Sequence, residues 1–391
     1  MVGLCLAGAR IIADVACFCA LCRLHSPLCV APGHGLRRER LLHEQSAAGP
    51  GVCISAQKLN CRSYDMEETK LFCPSCSHEK VEKIESIPAR LIEEYYAENG
   101  VDVRYLFENV ENLDRYECGE CGLQFFRPVV LGDDRYYRAM QKGDWYYLEE
   151  KPEYDYVAKW IGAKDRVLDV GSGRGAFSRK ISSPFYQGLE FSQSAVELAA
   201  KEGVNVIPES VEDHALSHPE QYDVVCTFQV LEHVAQPKEF LEGCIKCLKR
   251  GGKLAIAVPN SRSFLEWRRN YLNIPPHHQL LWSEKSLLKI AQLHDLQVLE
   301  VYKEKVTELH RESFYSTLLL SLGDKILPGR ISSVKGSQFG NHAAGNEEPS
   351  AQQGGKDLAH RAADVVKDCF RLVKLHRFFD GHTVTAIYQK K

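Results

Sequence analysis

Four of the chain's 15 cysteines form two pairs with two residues between partners: Cys73 and Cys76 in "FCPSCSHEK", Cys118 and Cys121 in "YECGECGLQFF". Two thiolates at that spacing on a tight turn grip one ion, and two such turns complete the tetrahedral four-sulfur shell of structural zinc. Gly119 and Gly122 flank the cysteines of the second pair, as a knuckle turn requires. A reduced or redox thiol pair is the alternative. A closed shell leaves no position open for water or substrate, so the expected role is folding and docking rather than chemistry. Cys244 and Cys247 in "EGCIKCLKRGG" repeat the spacing, but an apolar-periodic helix without turn residues makes them buried structural cysteines.

Asn273 to Trp282, "NIPPHHQLLW", sets two histidines directly after two prolines. Three readings of His277 and His278 stand. Metal binding is disfavoured, because adjacent side chains should diverge and the zinc ligands are already accounted for. A structural pair would cap the following helix or pack on Trp282. Acid–base work or substrate contact is the third, since imidazole titrates near neutrality. Ser283 reads as the N-cap of the next helix. His233 in "LEHV" is a further candidate base, or else a helix-start histidine that shapes its loop.

"DRVLDVGSGRGAFSRKI" offers a third chemistry. Its apolar run Val167–Val170 reads as a strand, the glycines at 171, 173 and 175 as a tight turn, and the remainder as a helix. Glycine lets backbone N–H groups meet a ligand closely, because no side chain blocks the approach. Glu190 in "YQGLEFS" lies 21 residues after Asp169, where an acidic side chain can grip ribose hydroxyls.

The elements that must position these residues follow from the hydrophobic pattern. Strand-like runs at 166–170, 185–191, 204–208, 223–229 and 253–259 alternate with helical segments. That alternation predicts a parallel sheet covered on both faces, with ligands at the carboxyl ends of its strands. Asp169, the glycines, Glu190, the Ser210–Glu212 loop and Gln229 all fall at those ends.

With "YDVVCTFQVLEHV" and "LKRGGKLAIAVPN" added to the glycine loop, the sequence resembles the class I S-adenosylmethionine-dependent methyltransferases, in their ubiquinone-biosynthesis-like small-molecule branch. The resemblance implies an α/β, Rossmann-like seven-stranded sheet, here with an N-terminal zinc ribbon and a C-terminal helical insertion. It implies S-adenosylmethionine as cofactor beside structural zinc. Gly171, Ser172, Gly173 and Gly175 would approach the methionyl part and ribose, and Asp169 would orient the loop or the amino group. Ser172 replaces a cysteine common in the family, with its side chain expected off the loop. Glu190 would hold the ribose hydroxyls with Phe191 next to it, Val211 and Glu212 would meet the adenine, and Gln229 would be a further cofactor-binding residue. In related sugar C-methyltransferases with an N-terminal zinc domain, a histidine in the "PPHH" region is implicated in proton transfer. The implied function is methyl transfer to a small-molecule or carbohydrate-like acceptor in the cytoplasm.

Other features narrow the function. "QVLEHV" is not the Asn-Pro-Pro-aromatic motif that holds an amide or exocyclic amine, and no Pro-Cys dipeptide offers a nucleophile. Lysine and arginine (49) nearly balance aspartate and glutamate (52), which argues against nucleic acid as partner. An RNA methyltransferase gripping its substrate through the ribbon, and a non-enzymatic binding module, are the alternatives.

The expected organisation is a leader at 1–65, a zinc ribbon with an inserted helix at 66–130, and a methyltransferase domain at 131–391 with a helical insertion at about 307–380. The leader holds seven cysteines without regular spacing, and Met66 reads as a natural start. "SRSFLEWRRNYLN" is long enough for a lid. The aromatic stretch containing Trp145 would close over the site or pack between domains. Residues 358–379, with Arg361, Lys367, Arg371, Lys374 and Arg377, would touch an anionic membrane, roof the site, or pack on the domain or a second subunit.

Overall fold

The computed structural model describes residues 70–141, 150–308, 310–326 and 374–391. The leader, Trp145, the part of the expected insertion from 327 on and the basic segment up to residue 373 lie outside the described residues. All described residues belong to one compact unit, Met66–Lys391.

The two cysteine turns are built as their sequences demand. Ser77 N–H donates to Cys73 O (2.9 Å) with Ser77 left-handed, and Gly122 N–H donates to Cys118 O (2.8 Å) with Gly122 at φ 71°. The second turn joins β2 (Asn112–Cys118) to β3 (Gln124–Arg127), and β1 (Val81–Pro88) pairs with the far side of β2. Between β1 and β2 runs α1 (Ala89–Glu98), the inserted helix expected there. It buries Ala89, Ile92 and Tyr96, spaced to share one face.

The fourth strand of this small sheet comes from far along the chain. β3 pairs antiparallel with Leu280–Leu281, so Gln124 faces Leu281 and Phe125 faces Leu280. The segments expected as separate domains on either side of residue 130 thus share a sheet. Past β3, Asp133 caps α2 (Asp134–Met140) by accepting from Tyr136 N–H, and α3 (Pro152–Ala158) starts on a proline.

The large sheet contains β4 (Val167–Val170), β5 (Tyr186–Leu189), β6 (Val206–Ile207), β7 (Tyr222–Phe228), β8 (Leu248–Pro259), β10 (Leu296–Lys305) and β11 (Asp380–Lys390); Leu280–Leu281 is β9. Its order is β10-β11-β8-β7-β4-β5-β6. The pairs from β8 through β6 are parallel, and β11 enters antiparallel between β8 and β10. Side chains alternate between two cores, as a strand covered on both faces requires. Leu168, Val170, Val225, Leu254 and Ile256 pack in one; Val167, Val224, Cys226, Ala255 and Ala257 pack in the other. The first core also takes in Cys73, Cys118, Cys121 and Phe125, so the cysteine module is welded to the sheet by apolar burial.

The connecting helices carry the caps that their sequences promise. Ser192 caps α4 (Gln193–Lys201), Ser210 caps α5 (Val211–Ser217), and Pro237 opens α6 (Pro237–Cys247), where Cys244 and Cys247 are buried. Ser283 caps α7 (Glu284–Leu293) in a reciprocal box with Ser286. α8 (Arg311–Ile326) and the 3-10 segment Leu375–Phe378 are the described helical parts of the expected insertion. No described helix is long and apolar enough to cross a membrane.

One expected helix differs. After the glycine turn the chain forms only a 3-10 segment, Ala176–Lys180, before Ile181 turns extended. The left-handed Gly175 and the bond from Ser178 Oγ to Gly175 O hold this tighter winding.

Candidate active site

β4 ends where the glycine turn begins, and Gly171, Gly173 and Gly175 all have positive φ. A Cβ on Gly171 would stand 2.3 Å from Val230 Cγ2, and one on Gly175 2.5 Å from Val204 Cγ1. Both places therefore need glycine for conformation and for space. Glu190 ties the turn down: Oε2 accepts from Gly173 N–H (2.9 Å) and Oε1 from Ser192 N–H (2.9 Å).

Asp169 lies buried beneath the turn and accepts from Tyr186 O–H at 2.7 Å. Burial pushes its carboxyl up to about 7, against the opposing pull of the Tyr186 hydroxyl. Ser172 is buried as well; its hydroxyl sits where a side chain on Gly188 would go, turned under β5 rather than into the cavity. Phe191, by contrast, is 78% exposed at the cavity rim. Val211 and Glu212 open α5 on the same wall. Gln229 is left-handed and sends its amide away from the glycine turn, to Glu153 Oε1 (3.0 Å) and Thr383 Oγ1 (3.3 Å).

The cavity above these strand ends measures about 2920 Å³ and is lined by the glycine turn, Glu190, His233, His277, His278 and Thr383. It brings together every loop on which the sequence placed a cofactor or catalytic residue.

His277 and His278 do not diverge. Their rings stack at 4.6 Å with 22° between planes, and His233 stands edge-on to both at 4.9 and 4.8 Å. Neither caps α7, which Ser283 does together with Ser286, and Trp282 is buried with its indole N–H on Leu231 O. His233 lies in the turn after β7, four residues ahead of α6, not at a helix start.

Their hydrogen bonds fix which nitrogen is open. His233 Nδ1 donates to His277 O at 2.5 Å, and His278 Nδ1 donates to Asn273 Oδ1 at 3.1 Å. The Asn273 amide is itself oriented by donating to Glu266 Oε1 at 2.8 Å. Both Nε2 atoms therefore keep a lone pair, and both converge on Glu232 Oε1, at 3.8 and 4.0 Å. Glu232 is 1% exposed, and neither carboxylate oxygen has a hydrogen-bond partner among the described residues. One nitrogen from each histidine lies within 4.8 Å of the others, a set that can hold a proton or a cation.

Burial pushes the Glu232 carboxyl up to about 8 and the His233 imidazole down to about 4. Burial also drives His277 and His278 well below the ordinary range, reinforced by the neighbouring imidazoles. The group is neutral imidazole base beside neutral carboxyl acid at pH 7. Glu232 was not singled out in the sequence; its only signal is adjacency to His233, because burial cannot be read from one residue.

A second polar group on the cavity wall was not anticipated. Glu304 Oε1 accepts from Thr383 N–H at 3.0 Å, and Glu153 holds the Gln229 amide. Burial raises the Glu304 carboxyl to about 7 and lowers His310 and His382 to about 4. These residues come from α3, from the segment around β10 and from β11, so no local motif joins them.

The four cysteines meet as their spacing predicts. Sγ of Cys73 lies 3.6 Å from Sγ of Cys121, and Sγ of Cys76 3.6 Å from Sγ of Cys118. All four sulfurs lie within 4.8 Å of one another, and three of the four residues are buried. Sulfurs this close fit a tetrahedral zinc shell. Cys226, Cys244 and Cys247 are buried free thiols away from this cluster.

Comparison with known proteins accords with this geometry. A family model described as a methyltransferase domain matches residues 141–301. The ubiquinone biosynthesis O-methyltransferase of Citrobacter koseri is 30% identical over 187 residues, covering 43% of this chain and 75% of that protein. That of Klebsiella pneumoniae is 35% identical over 115 residues, 27% of this chain and 48% of that protein. The chain thus spans about half the length of the first curated relatives it matches. A crystal structure of a SAM-dependent methyltransferase from Archaeoglobus fulgidus has 16% identity and a TM-score of 0.40, covering 65% of this chain and 100% of that one.

Proposed function

The chain belongs to the class I S-adenosylmethionine-dependent methyltransferase family, and we propose that it transfers a methyl group from S-adenosylmethionine to a small-molecule acceptor. The observation that carries this reading is the convergence of two open imidazole nitrogens on buried Glu232, in the same cavity as the Glu190-tethered glycine turn.

The donor, when bound, supplies a methyl group on a positively charged sulfur that departs as a neutral thioether. Positioning therefore carries much of the rate, and the protein has mainly to orient the acceptor and take its proton. The backbone of Gly171, Gly173 and Gly175 lets the donor approach, and Glu190 offers its carboxylate to ribose hydroxyls. Asp169, bonded to the Tyr186 hydroxyl, would orient the turn that follows it, and Val211 and Glu212 would border the adenine side.

His233 Nε2 receives the acceptor's proton, because its Nδ1–H is committed to His277 O and its other lone pair faces the cavity. Glu232, neutral beforehand, offsets the imidazolium that forms by giving up its own proton to solvent in the cavity. His278 presents the same open nitrogen and is the alternate base; His277 stacks on it and supplies the carbonyl that orients His233. A carbohydrate-like acceptor with methylation at oxygen suits the polar wall of Glu304, Thr383 and His382. The cysteine cluster holds zinc as a structural ion.

Turnover of a panel of nucleotide sugars, glycolipids and small metabolites, read as S-adenosylhomocysteine release, tests the reading alongside His233→Ala and the double variant His277→Ala, His278→Ala. Release with at least one acceptor, lost in His233→Ala, is expected. A chain that neither binds S-adenosylmethionine nor releases product from any extract would overturn it. Elemental analysis should find one zinc per chain, lost in Cys118→Ser.

A further inference from the structure

We propose that Gln279 is a positioning residue that locks the histidine loop to the cysteine module, so that order in the module is transmitted to the catalytic pocket. Gln279 directly follows His278 and is 1% exposed. Its side chain and its main-chain carbonyl reach one way, and its main-chain N–H the other. On the module side, Nε2–H donates to Phe126 O at 2.6 Å, Oε1 accepts from Val130 N–H at 3.4 Å, and the main-chain carbonyl accepts from Phe126 N–H at 3.3 Å. On the pocket side, its main-chain N–H donates to Glu232 O at 2.9 Å, joined by Leu280 N–H at 3.0 Å. One residue thus uses its four polar groups to clamp β3 against the loop that presents Glu232 and His233.

Two further bonds run in the same direction. Gly132 N–H donates to Pro276 O at 3.0 Å, just before the histidines, and Lys285 Nζ reaches Gly119 O at 3.1 Å, inside the second cysteine turn. β3 begins three residues after Cys121, and β9 continues the clamp as ladder pairs. A four-sulfur shell could be built on an isolated knuckle; here the strand that follows its second turn is bonded to the segment that carries the pocket's His277 and His278. The ring contacts among His233, His277 and His278 depend on where these strands hold residues 276–282.

Losing the side-chain bonds would leave the Phe126 carbonyl and the Val130 amide, both in buried residues, without these partners. The histidine loop would then open locally while the central strands stay closed, as sub-global units do. The clamp itself is independent of the acceptor; only its catalytic consequence rests on the methyltransferase reading.

Hydrogen exchange on the full zinc-loaded chain tests this, with carbethoxylation of histidine as the second readout. Gln279→Met keeps the volume and removes both side-chain bonds. Expected is a rise of about tenfold in exchange at 276–282 and 231–234, with β4 and β7 peptides unchanged. Labelling of His277 and His278 should accelerate with it, while S-adenosylmethionine affinity stays within about twofold. Gln279→Glu, which keeps the acceptor for Val130, should fall between, and decides the matter if the methionine variant does not fold. Chelating the zinc of the wild-type chain should raise exchange over the same residues. Unchanged exchange and labelling at the loop in a folded variant, or an equal rise in β4 and β7, would overturn the proposal. A failure of methyl transfer with the loop response intact would instead count against the methyltransferase reading alone.

Discussion

His233 Nε2 faces Glu232 Oε1 across 3.8 Å, with the imidazole's other nitrogen committed to the His277 carbonyl. The pair holds an acid and a base whose proton affinities burial has driven past each other, the carboxyl up to about 8 and the imidazole down to about 4. An acceptor proton arriving at Nε2 would put a positive charge beside Glu232, whose carboxyl can then ionise by giving its own proton to solvent in the cavity. That order of events makes Glu232 as important to the pocket as the histidine.

Glu232→Gln separates these roles. The amide keeps the volume but cannot become a carboxylate, so kcat should fall by about 10²–10⁴ while S-adenosylmethionine affinity holds. Stability should move the other way with pH. Glu232 titrates higher folded than unfolded, so its contribution is present below about pH 4.5 and is lost as pH rises through about 8. The melting temperature of the variant should therefore gain on that of the wild type between pH 5 and 9. Parallel melting curves across that range would show that the carboxyl is not buried as a neutral acid.

His233→Ala gives the opposite slope. Its folded value lies below its unfolded one, so the imidazole's contribution is complete above about pH 6.5 and fades as pH falls through about 4. The wild type should lose stability on acidification faster than the variant in that window. Melting curves at pH 7, 6, 5 and 4 make the comparison.

Gly171→Ala tests the turn directly. Alanine at φ 75° is strained, and its Cβ would meet the Val230 side chain at 2.3 Å. Together these should cost about 1–3 kcal/mol and displace the turn that lies under the donor. Calorimetry should find S-adenosylmethionine affinity reduced by about tenfold or more. Gly203→Ala is the control, since φ is likewise positive there but nothing stands within 4 Å of the added atom.

The parts of this structure legible in the sequence are those whose signal is local. A strand ending in spaced glycines, serines ahead of helices and cysteines three apart each state their geometry within a few residues, and each is found. β6 is the shortest of the strands expected from the sequence, two residues where five were expected, because an edge strand has little apolar pattern to mark its ends. The expectation that the side chains of His277 and His278 diverge fails for a reason of the same kind. Side chains of neighbours diverge along an extended chain, but clamps from Gln279, Asn273 and Glu232 turn this loop until the rings stack. Those partners lie far along the chain or have no pattern of their own. The Glu153, Glu304 and His382 wall escaped notice likewise, since only the sheet order brings α3, β10 and β11 to one place. The four-stranded sheet that fuses the cysteine module to β9 rests on two residues, too short a run to read as a strand.

Glu190 carries two duties that one substitution can separate. Its carboxylate accepts from Gly173 and Ser192 N–H, and in the proposed complex it also meets ribose hydroxyls. Glu190→Gln keeps one acceptor oxygen but turns the other position into a donor facing a backbone N–H. Glu190→Ala removes both acceptors and leaves the turn held by its glycines and by the bonds from Gly171 and Ser172 N–H to Leu189 O. Each lost charge-assisted bond should cost about 1.5–3 kcal/mol where it is not replaced by water. The alanine variant should still fold, since β4, β5 and their pairing are untouched, but should bind S-adenosylmethionine about 10²-fold more weakly. If the carboxylate served only to brace the turn, adenosine and S-adenosylmethionine would lose no more affinity than their 2′,3′-dideoxy analogues. A greater loss for the hydroxyl-bearing ligands is the expected result, and calorimetry on the four ligands measures it.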